Sequence, residues 1–213
     1  MSAANSAQLR VIAASPDSPQ MDFYLGNTAL AYGVDFGSVS SYVPLAAGNV
    51  TVSAHTANSR QLLISASSGL VAGRQYTAVV TNIAASLQET IYADQTEPAP
   101  AGETALRIIN AGTRAGSVDV YLVPNSSKLT STFPVRTGVS FGASTGYILA
   151  PAGTYSLVIL PAGTVPVATT QELLRAPQVD YAAGSAHTVV LVDHTNSSSP
   201  GLDEIVADDY EPS

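Results

Sequence analysis

The 213-residue chain is 46% hydrophobic and only 11% charged, with a formal net charge of −8. This length allows one large domain or two domains of about 100 residues, each able to bury a core. The eight Lys and Arg residues form no basic cluster, which argues against binding to nucleic acid or to an anionic membrane surface. Because the chain has no cysteine, disulfides, thiolate metal sites and a cysteine nucleophile are excluded.

No run of 18 apolar residues occurs, so the sequence predicts no transmembrane segment. The first ten residues, MSAANSAQLR, contain neither the basic region nor the apolar region of a secretory signal peptide. Two interpretations follow from these features. The protein is cytosolic, or the chain begins after a signal peptide that has been removed.

The first hundred residues read as β-strands in chain order. Short runs rich in β-branched and aromatic residues are separated by Gly, Pro, Asn or Asp, as is typical of strands and their turns. Gly48 and Gly73 each end a small-residue turn, and we expect them to supply a positive φ between hairpin strands. The runs are LRVIAA, MDFYL, SSYVPL, NVTVSAH, QLLISAS and QYTAVVTN.

The run MDFYL, Met21–Leu25, alternates between apolar and polar side chains. Since successive strand residues point to opposite faces, Met21, Phe23 and Leu25 are predicted to point inward, and Asp22 and Tyr24 outward. The preceding loop holds two prolines and Asp17, whose carboxylate is expected to bond its own backbone two residues on.

The strand pattern recurs later in the chain at matched positions. MDFYL matches VDVYL, Val118–Leu122, at an offset of 97 residues, so Asp119 and Tyr121 are predicted to point outward. VDFGSVSSYVPLAAGNVTV then matches VSFGASTGYILAPAGTYSL at an offset of 105, so residues were gained within PNSSKLTSTFPVRTG. The final match pairs ETIYADQTEP with DEIVADDYEP. The preserved order indicates a tandem duplication.

The duplication sets the predicted fold class: all-β, with two tandem immunoglobulin-like Greek-key β-sandwich domains of six or seven strands each. We expect the first domain at residues 8–95 and the second at 105–211. Residues 96–104, rich in Pro, Gly and Glu, read as a short stiff linker. The sequence shows no convincing helix, and its best candidate for a helical turn is QELLR, Gln171–Arg175.

The segments RVIAASPDSPQMDFYLG, VDFGSVSSYVPLAAGNVTV and AGRQYTAVV resemble the DUF4397 family, whose members carry patterns similar to ASPDAP-VDVY, FG-VS-Y--LPAG and AG--YTV. The resemblance covers the first unit almost wholly and the second more loosely. It implies a β-sandwich on bacterial proteins that are usually exported, which favours a periplasmic or secreted location and a signal peptide absent from this sequence. It implies no known activity. A more distant resemblance, carried by RIINAG and the AGTYSL hairpin, is to the periplasmic adaptor of alginate acetylation.

The candidate chemical groups are few. His55 and His187 lie in predicted strands and are interpreted as packing or surface residues, and His194 beside Asp193 has no defined third partner for catalysis. The C-terminal LDEIVADDYEPS offers carboxylates of the kind calcium prefers but no D-x-D-x-D-G loop, so it is interpreted as a solvated acidic tail. We therefore expect no catalytic residue, no metal and no cofactor.

Tyrosine is the one enriched aromatic residue, with ten Tyr, four Phe and no Trp. Tyr24 and Tyr121, with Asp22 and Asp119 beside them, are the predicted binding face, and cross-strand packing is the alternative explanation. The sequence therefore favours a non-enzymatic exported bacterial protein that binds a protein or polysaccharide of the cell envelope, or itself. The alternative is a periplasmic adaptor for polysaccharide modification whose chemistry lies in its partners.

Overall fold

A computed structural model describes residues 5–194 and 201–212 of the chain. The backbone divides into two compact units, Met1–Thr96 and Glu97–Ser213. Across the described ranges, no helix has the length and hydropathy needed to cross a membrane.

Within the described residues the first unit has eight strands, one or two more than the six or seven predicted. A 3₁₀ turn, Ala84–Ser86, precedes the last of them. The strands are β1 Ser6–Ala13, β2 Met21–Leu25, β3 Thr28–Val34, β4 Val43–Ala46, β5 Gly48–Thr56, β6 Leu62–Leu70, β7 Gln75–Thr81 and β8 Gln88–Ala93.

The described part of the second unit also has eight strands, and a 3₁₀ turn, Leu129–Ser131, lies between its second and third strands. The strands are β9 Glu103–Asn110, β10 Val118–Pro124, β11 Arg136–Val139, β12 Ser144–Pro151, β13 Gly153–Pro161, β14 Leu174–Tyr181, β15 Ala186–Asp193 and β16 Leu202–Tyr210.

Each unit is a sandwich of two four-stranded sheets with the same strand order. In the first unit the orders are β4-β1-β7-β8 and β3-β2-β5-β6, and in the second they are β12-β9-β15-β16 and β11-β10-β13-β14. In both units the first and seventh strands pair in parallel, while the other neighbours are antiparallel. The prediction of an all-β chain with two sandwich domains is confirmed.

The alternation in MDFYL and VDVYL produces the core as predicted. Met21 and Phe23 are fully buried between the sheets of the first unit, and Val118 and Val120 are fully buried in the second. Each unit has its own apolar cluster, as expected for sheets that bury one face against a partner sheet.

The hairpins assigned to Gly48 and Gly73 are wrong, although both glycines do have the predicted positive φ, 129° and 75°. The strands on either side of Gly48, β4 and β5, lie in different sheets, and so do β6 and β7 around Gly73. A local turn signal specifies a reversal of the chain, but burial of the apolar faces decides which sheet the next strand joins.

Three other expectations differ from the structure. QELLR forms no helical turn, because β14 begins at Leu174 within it. The predicted linker, 96–104, overlaps the start of β9, and Ala99 within it is buried against Ala105 and Ala186. The C-terminal acidic stretch is not a solvated tail, because Leu202–Tyr210 forms β16 and pairs with β15 along its length.

Candidate functional site

The two aspartates predicted to face a ligand are buried instead. Asp22 is 5% exposed, and its two carboxylate oxygens accept hydrogen bonds from the backbone N–H groups of Gly33 (2.8 Å) and Asn58 (3.0 Å). The strand alternation placed Asp22 on the outer face correctly, but the β3 and β5–β6 segments fold over it. It therefore acts as a clamp between two segments rather than as a ligand-binding residue.

Asp119 forms the same clamp in the second unit. It is also 5% exposed and accepts hydrogen bonds from the backbone N–H groups of Gly138 and Gly163, both at 2.8 Å. The two glycines have positive φ values of 66° and 81°, a backbone conformation that glycine adopts at little cost. A buried carboxylate that accepts two such bonds satisfies both partners, so the clamp is a structural device.

Tyr121 is likewise buried, only 3% exposed, which contradicts its predicted place on a binding face. It packs in a cluster with Val123, Leu129, Val158 and Leu160 on the outer side of its sheet. Leu129 belongs to residues 125–135, the long connection between β10 and β11. The residues gained in the second copy thus cover the outer face of the sheet. The alternation of the strand sequence alone predicts that this face is exposed to solvent.

The first unit leaves the equivalent face open. There β2 and β3 are joined by only Gly26 and Asn27, and Gly26 has a φ of 57°, as a two-residue hairpin turn favours. The strand registers place Ser53 and His55 opposite Tyr24 and Asp22, where the second unit has Val158 and Leu160. The first unit therefore has a short turn and the polar residues Ser53 and His55 where the second unit has a long covering segment and an apolar cluster.

Tyr24 lies at the centre of this surface, which we call the open face and define by Tyr24, Tyr32, His55 and Arg60. The ring of Tyr24 packs edge-to-face against Tyr32, with centroids 6.0 Å apart, and against His55, at 5.2 Å. Tyr32 is 70% exposed. A cavity of about 520 Å³ is lined by Tyr24, Gly26, Asn27, His55 and Arg60.

Hydrogen bonds fix the His55 ring within the open face. Its Nδ1 lies 3.2 Å from the carbonyl oxygen of Arg60, and its Nε2 lies 3.1 Å from the Ser53 hydroxyl. Because a carbonyl only accepts, Nδ1 carries the proton, and the neutral ring then accepts from Ser53 through Nε2. Partial burial raises the pKa of Tyr24, with smaller contributions from Tyr32 and Asp22, so its phenol stays a neutral hydrogen-bond donor.

Asp22 also determines the shape of the open face. One of its hydrogen-bond donors, Gly33, directly follows Tyr32, and the other, Asn58, lies two residues before Arg60. The clamp therefore holds the two segments that carry Tyr32 and Arg60. Sequence reasoning identified Tyr24 and missed Tyr32 and Arg60, since only the fold brings β3 and the β5–β6 turn beside β2.

Two loops at one end of each sandwich are tied together by an aspartate. Asp17 does not bond its own backbone as predicted; it accepts a hydrogen bond from the Ala84 N–H, 2.7 Å away, in the β7–β8 connection. In the second unit the aspartate lies on the other loop. Asp193, at the end of β15, accepts hydrogen bonds from the backbone N–H groups of Thr113 and Arg114 in the β9–β10 loop. Asp17 and Asp193 thus both have a structural role, which is to hold two loops together.

The remaining histidines pair with acids of β16. His194 lies 2.8 Å from Asp203, and both side chains are about half exposed. His187 contacts Asp208 through Nδ1 and the Ser185 hydroxyl through Nε2, both at 2.9 Å. These contacts account for both ring nitrogens of His187 within the protein.

One group of side chains has the residue types of a metal site. His187, Asp208 and Glu211 offer ligand atoms that lie within 4.8 Å of one another. Both carboxylates are largely exposed, and His187 already has a hydrogen-bond partner on each nitrogen. Hydrogen bonding explains this group without an ion.

Another repeated feature is a polar row that crosses one sheet of each unit. The Arg10 guanidinium lies over the Tyr42 ring, 4.6 Å from its centroid, and donates to Thr77. Thr77 and Tyr42 both donate to Asp94, at 2.7 and 2.9 Å. The second unit repeats the row with Arg107, Tyr147, Thr188 and Asp209.

A glutamate on the last strand of each unit faces a desolvated environment. Glu89 of β8 pairs with Val80, and Glu204 of β16 pairs with Leu191 at the equivalent register; the sequence match had instead aligned Glu89 with Asp203. Both oxygens of Glu89 are buried without a hydrogen-bond partner of good geometry among the described residues. Burial raises its pKa to about 8, against a smaller opposing effect of the Ala66 backbone. Burial also raises the pKa of Glu204.

Fold and site together define an all-β protein of two sandwich units, one with an open polar-aromatic face and one with the corresponding face covered. The chain belongs to the DUF4397 family, a domain of unknown function, whose model matches residues 7–121, just over half of the sequence. The match spans the first unit and reaches into β10. Membership of the second copy stays a prediction.

Three solved structures that match this chain are distant from it. A streptococcal virulence factor that binds α-glucan is 11% identical, with 72% of this chain and 80% of that chain covered and a TM-score of 0.28. A family 26 carbohydrate-binding module from Eubacterium rectale, in complex with maltoheptaose, is 10% identical, with 97% and 98% covered and a TM-score of 0.26. A putative cell adhesion protein from Bacteroides fragilis is 10% identical, with 98% and 99% covered and a TM-score of 0.21. No curated protein gives a significant match.

Proposed function

We propose that this chain is a non-enzymatic, exported bacterial protein that binds a polysaccharide of the cell envelope through the open face of its first unit. The observation that carries the proposal is the contrast between two equivalent positions. Tyr24 lies beside an accessible cavity of about 520 Å³, whereas Tyr121 lies under a cover built around Leu129.

The composition of the open face suits a sugar ligand. Tyrosine rings present a flat apolar surface that packs against the apolar face of a pyranose, and their hydroxyls, with Asn27, supply hydrogen bonds to the sugar. An extended chain of sugars needs an exposed platform rather than a closed pocket. Tyr32, at 70% exposure, provides that platform beside the cavity.

A role in binding rather than catalysis is supported by the placement of the titratable groups. His55 is held by the Arg60 carbonyl and Ser53, and Asp22 is saturated by two backbone N–H groups. His55 does lie within hydrogen-bond distance of the Ser53 hydroxyl, but its Nδ1 contacts the Arg60 carbonyl oxygen and not the carboxylate of a Ser–His–Asp triad. Export is supported by the low content of charged residues, 11%.

The proposal is tested by retention on polysaccharide isolated from the native cell envelope. We expect the substitution Tyr32→Ala to weaken retention several-fold, because it removes an exposed ring without creating a core cavity. The matched control is Phe133→Ala in the second unit, which removes an aromatic ring that is 88% exposed and should leave retention unchanged.

Digestion of the envelope fraction identifies the partner. Retention that survives protease and is lost after depolymerisation of the polysaccharide supports the proposal. Loss after protease treatment contradicts it and points to a protein partner, as an adaptor role requires. Equal retention of wild type and Tyr32→Ala also contradicts it, because the open face would then take no part.

A further inference from the structure

The charge of the open face differs from that of the protein. The chain has 16 acidic and eight basic residues, yet the cavity beside Tyr24 is lined by a basic side chain, Arg60, and by no acidic one. Asp22 precedes Tyr24 by two residues on the same face of β2. Its carboxylate is not available to a ligand, because both oxygens accept backbone hydrogen bonds. Nothing in the cavity lining therefore neutralises the Arg60 guanidinium.

Four other arginines of the chain are committed to structure. Two are almost completely buried in the polar rows of their units, and two pair with acids. These are Arg10 and Arg107, at 4% and 3% exposure, and Arg114 and Arg175, which pair with Asp193 and Glu172. Arg60 instead lies on an exposed turn. Its backbone carbonyl, and not its guanidinium, accepts the hydrogen bond from His55.

Arg60 is also held in place relative to the rings. The Asn58 N–H that anchors this turn donates to the buried Asp22, while Gly33, next to Tyr32, donates to the other oxygen of the same carboxylate. A guanidinium whose backbone is fixed loses less conformational entropy when it binds a ligand than one on a free loop. The planar guanidinium group can donate two parallel hydrogen bonds to the two oxygens of one carboxylate.

We infer that the ligand of the open face is a polysaccharide that carries carboxylate groups, such as a chain of uronic acids. Tyr24 and Tyr32 contact the apolar faces of the sugar rings, and Arg60 binds the carboxylate of one residue. This inference rests on the proposed function and adds its ligand class. A protein of net charge −8 repels a polyanion at long range, so binding depends on this local contact rather than on general attraction.

The test uses two polymers, each in two forms. The full chain is titrated with polygalacturonate and with hyaluronate, and with the methyl-esterified form of each, which keeps the backbone and removes the charge. We expect at least one acidic polymer to bind about tenfold more tightly than its ester, since a bidentate charge-assisted pair is replaced by a neutral contact. Arg60→Gln should abolish this difference, and Arg60→Lys should restore part of it.

The matched control is Arg74→Gln, which makes the same change in net charge at an exposed position outside the cavity. It should leave the preference for the acidic polymer intact. Equal affinity for acid and ester would overturn the carboxylate inference and leave polysaccharide binding standing. Loss of the preference in Arg74→Gln as well as in Arg60→Gln would also overturn it, because net charge rather than the open face would then be responsible. No binding to any of the four polymers, together with protease-sensitive retention on the envelope fraction, would overturn the proposed function itself.

Discussion

Glu89 makes the first unit sensitive to pH. Both of its oxygens are shielded from solvent, and burial raises its pKa from 4.5 to about 8. Between these two values the folded protein holds a proton that the unfolded chain has released. The free energy of unfolding therefore falls as the pH rises from 4.5 and becomes constant above about 8, which is the sign expected for an acid with a raised pKa.

The size of this effect follows from the shift. Each pH unit within the window lowers the free energy of unfolding by at most about 1.4 kcal/mol, so the whole shift corresponds to an upper limit of about 5 kcal/mol. The substitution Glu89→Gln keeps the shape of the side chain and removes the titration. We expect the variant to be about as stable as wild type at pH 4.5 and more stable by a few kcal/mol at pH 9.

The assay is urea unfolding followed by circular dichroism at pH values from 4.5 to 9. Asp35→Asn, an exposed acid of the same unit, is the control and should follow the wild-type curve. Burial raises the pKa of Glu204 as well, so this residue contributes with the same sign through the second unit, and Glu89→Gln together with Glu204→Gln should be the least dependent on pH. A Glu89→Gln curve parallel to that of wild type across the whole range would show that Glu89 does not titrate with a raised pKa.

Three further substitutions test the Asp22 clamp, the cover over Tyr121 and the polar row of the second unit. Asp22→Ala leaves two backbone donors unpaired, so the first unit should lose about 3 kcal/mol of stability in urea unfolding. The chain should also lose retention on envelope polysaccharide. An unchanged unfolding midpoint would contradict the role of Asp22 as a clamp. Leu129→Ala should lower stability by about 2–4 kcal/mol and increase binding of an apolar dye, and a neutral effect would mean that the cover does not pack. Tyr147→Phe removes a 2.6 Å hydrogen bond to Asp209 and should cost about 1–2 kcal/mol in thermal unfolding; wild-type stability would show that the polar row contributes little.

The sequence predicted the strands where local pattern decides them. Met21 and Phe23 alternate with polar residues, and this period of two sends them into the core in any sandwich. β3 was missed because TALAYGV mixes small residues with a positive-φ glycine and has no clear alternation. The same local signals do not specify which sheet a strand joins, so the turn at Gly48 was predicted as a hairpin although it connects two sheets.

The sequence predicted the strand positions of the candidate site but not the segments that cover them. Tyr24 and Tyr121 occupy equivalent strand positions, and the sequence gives no reason to separate them. Only the connection at 125–135, which covers Tyr121 with Leu129, makes one buried and leaves the other open. Asp22 looks like a surface acid in sequence, because the backbone donors that bury it come from segments 11 and 36 residues away.

We propose that the open face of the first unit binds carbohydrate and that the covered face of the second unit does not. The most direct measurement is amide chemical-shift mapping by NMR of the full chain during titration with galacturonate oligomers. We expect the largest shifts at Gly26–Asn27, around Tyr32 and around His55 and Arg60, with the residues around Tyr121 unaffected. Shifts centred on the second unit, or saturable binding that leaves the open face unperturbed, would contradict it.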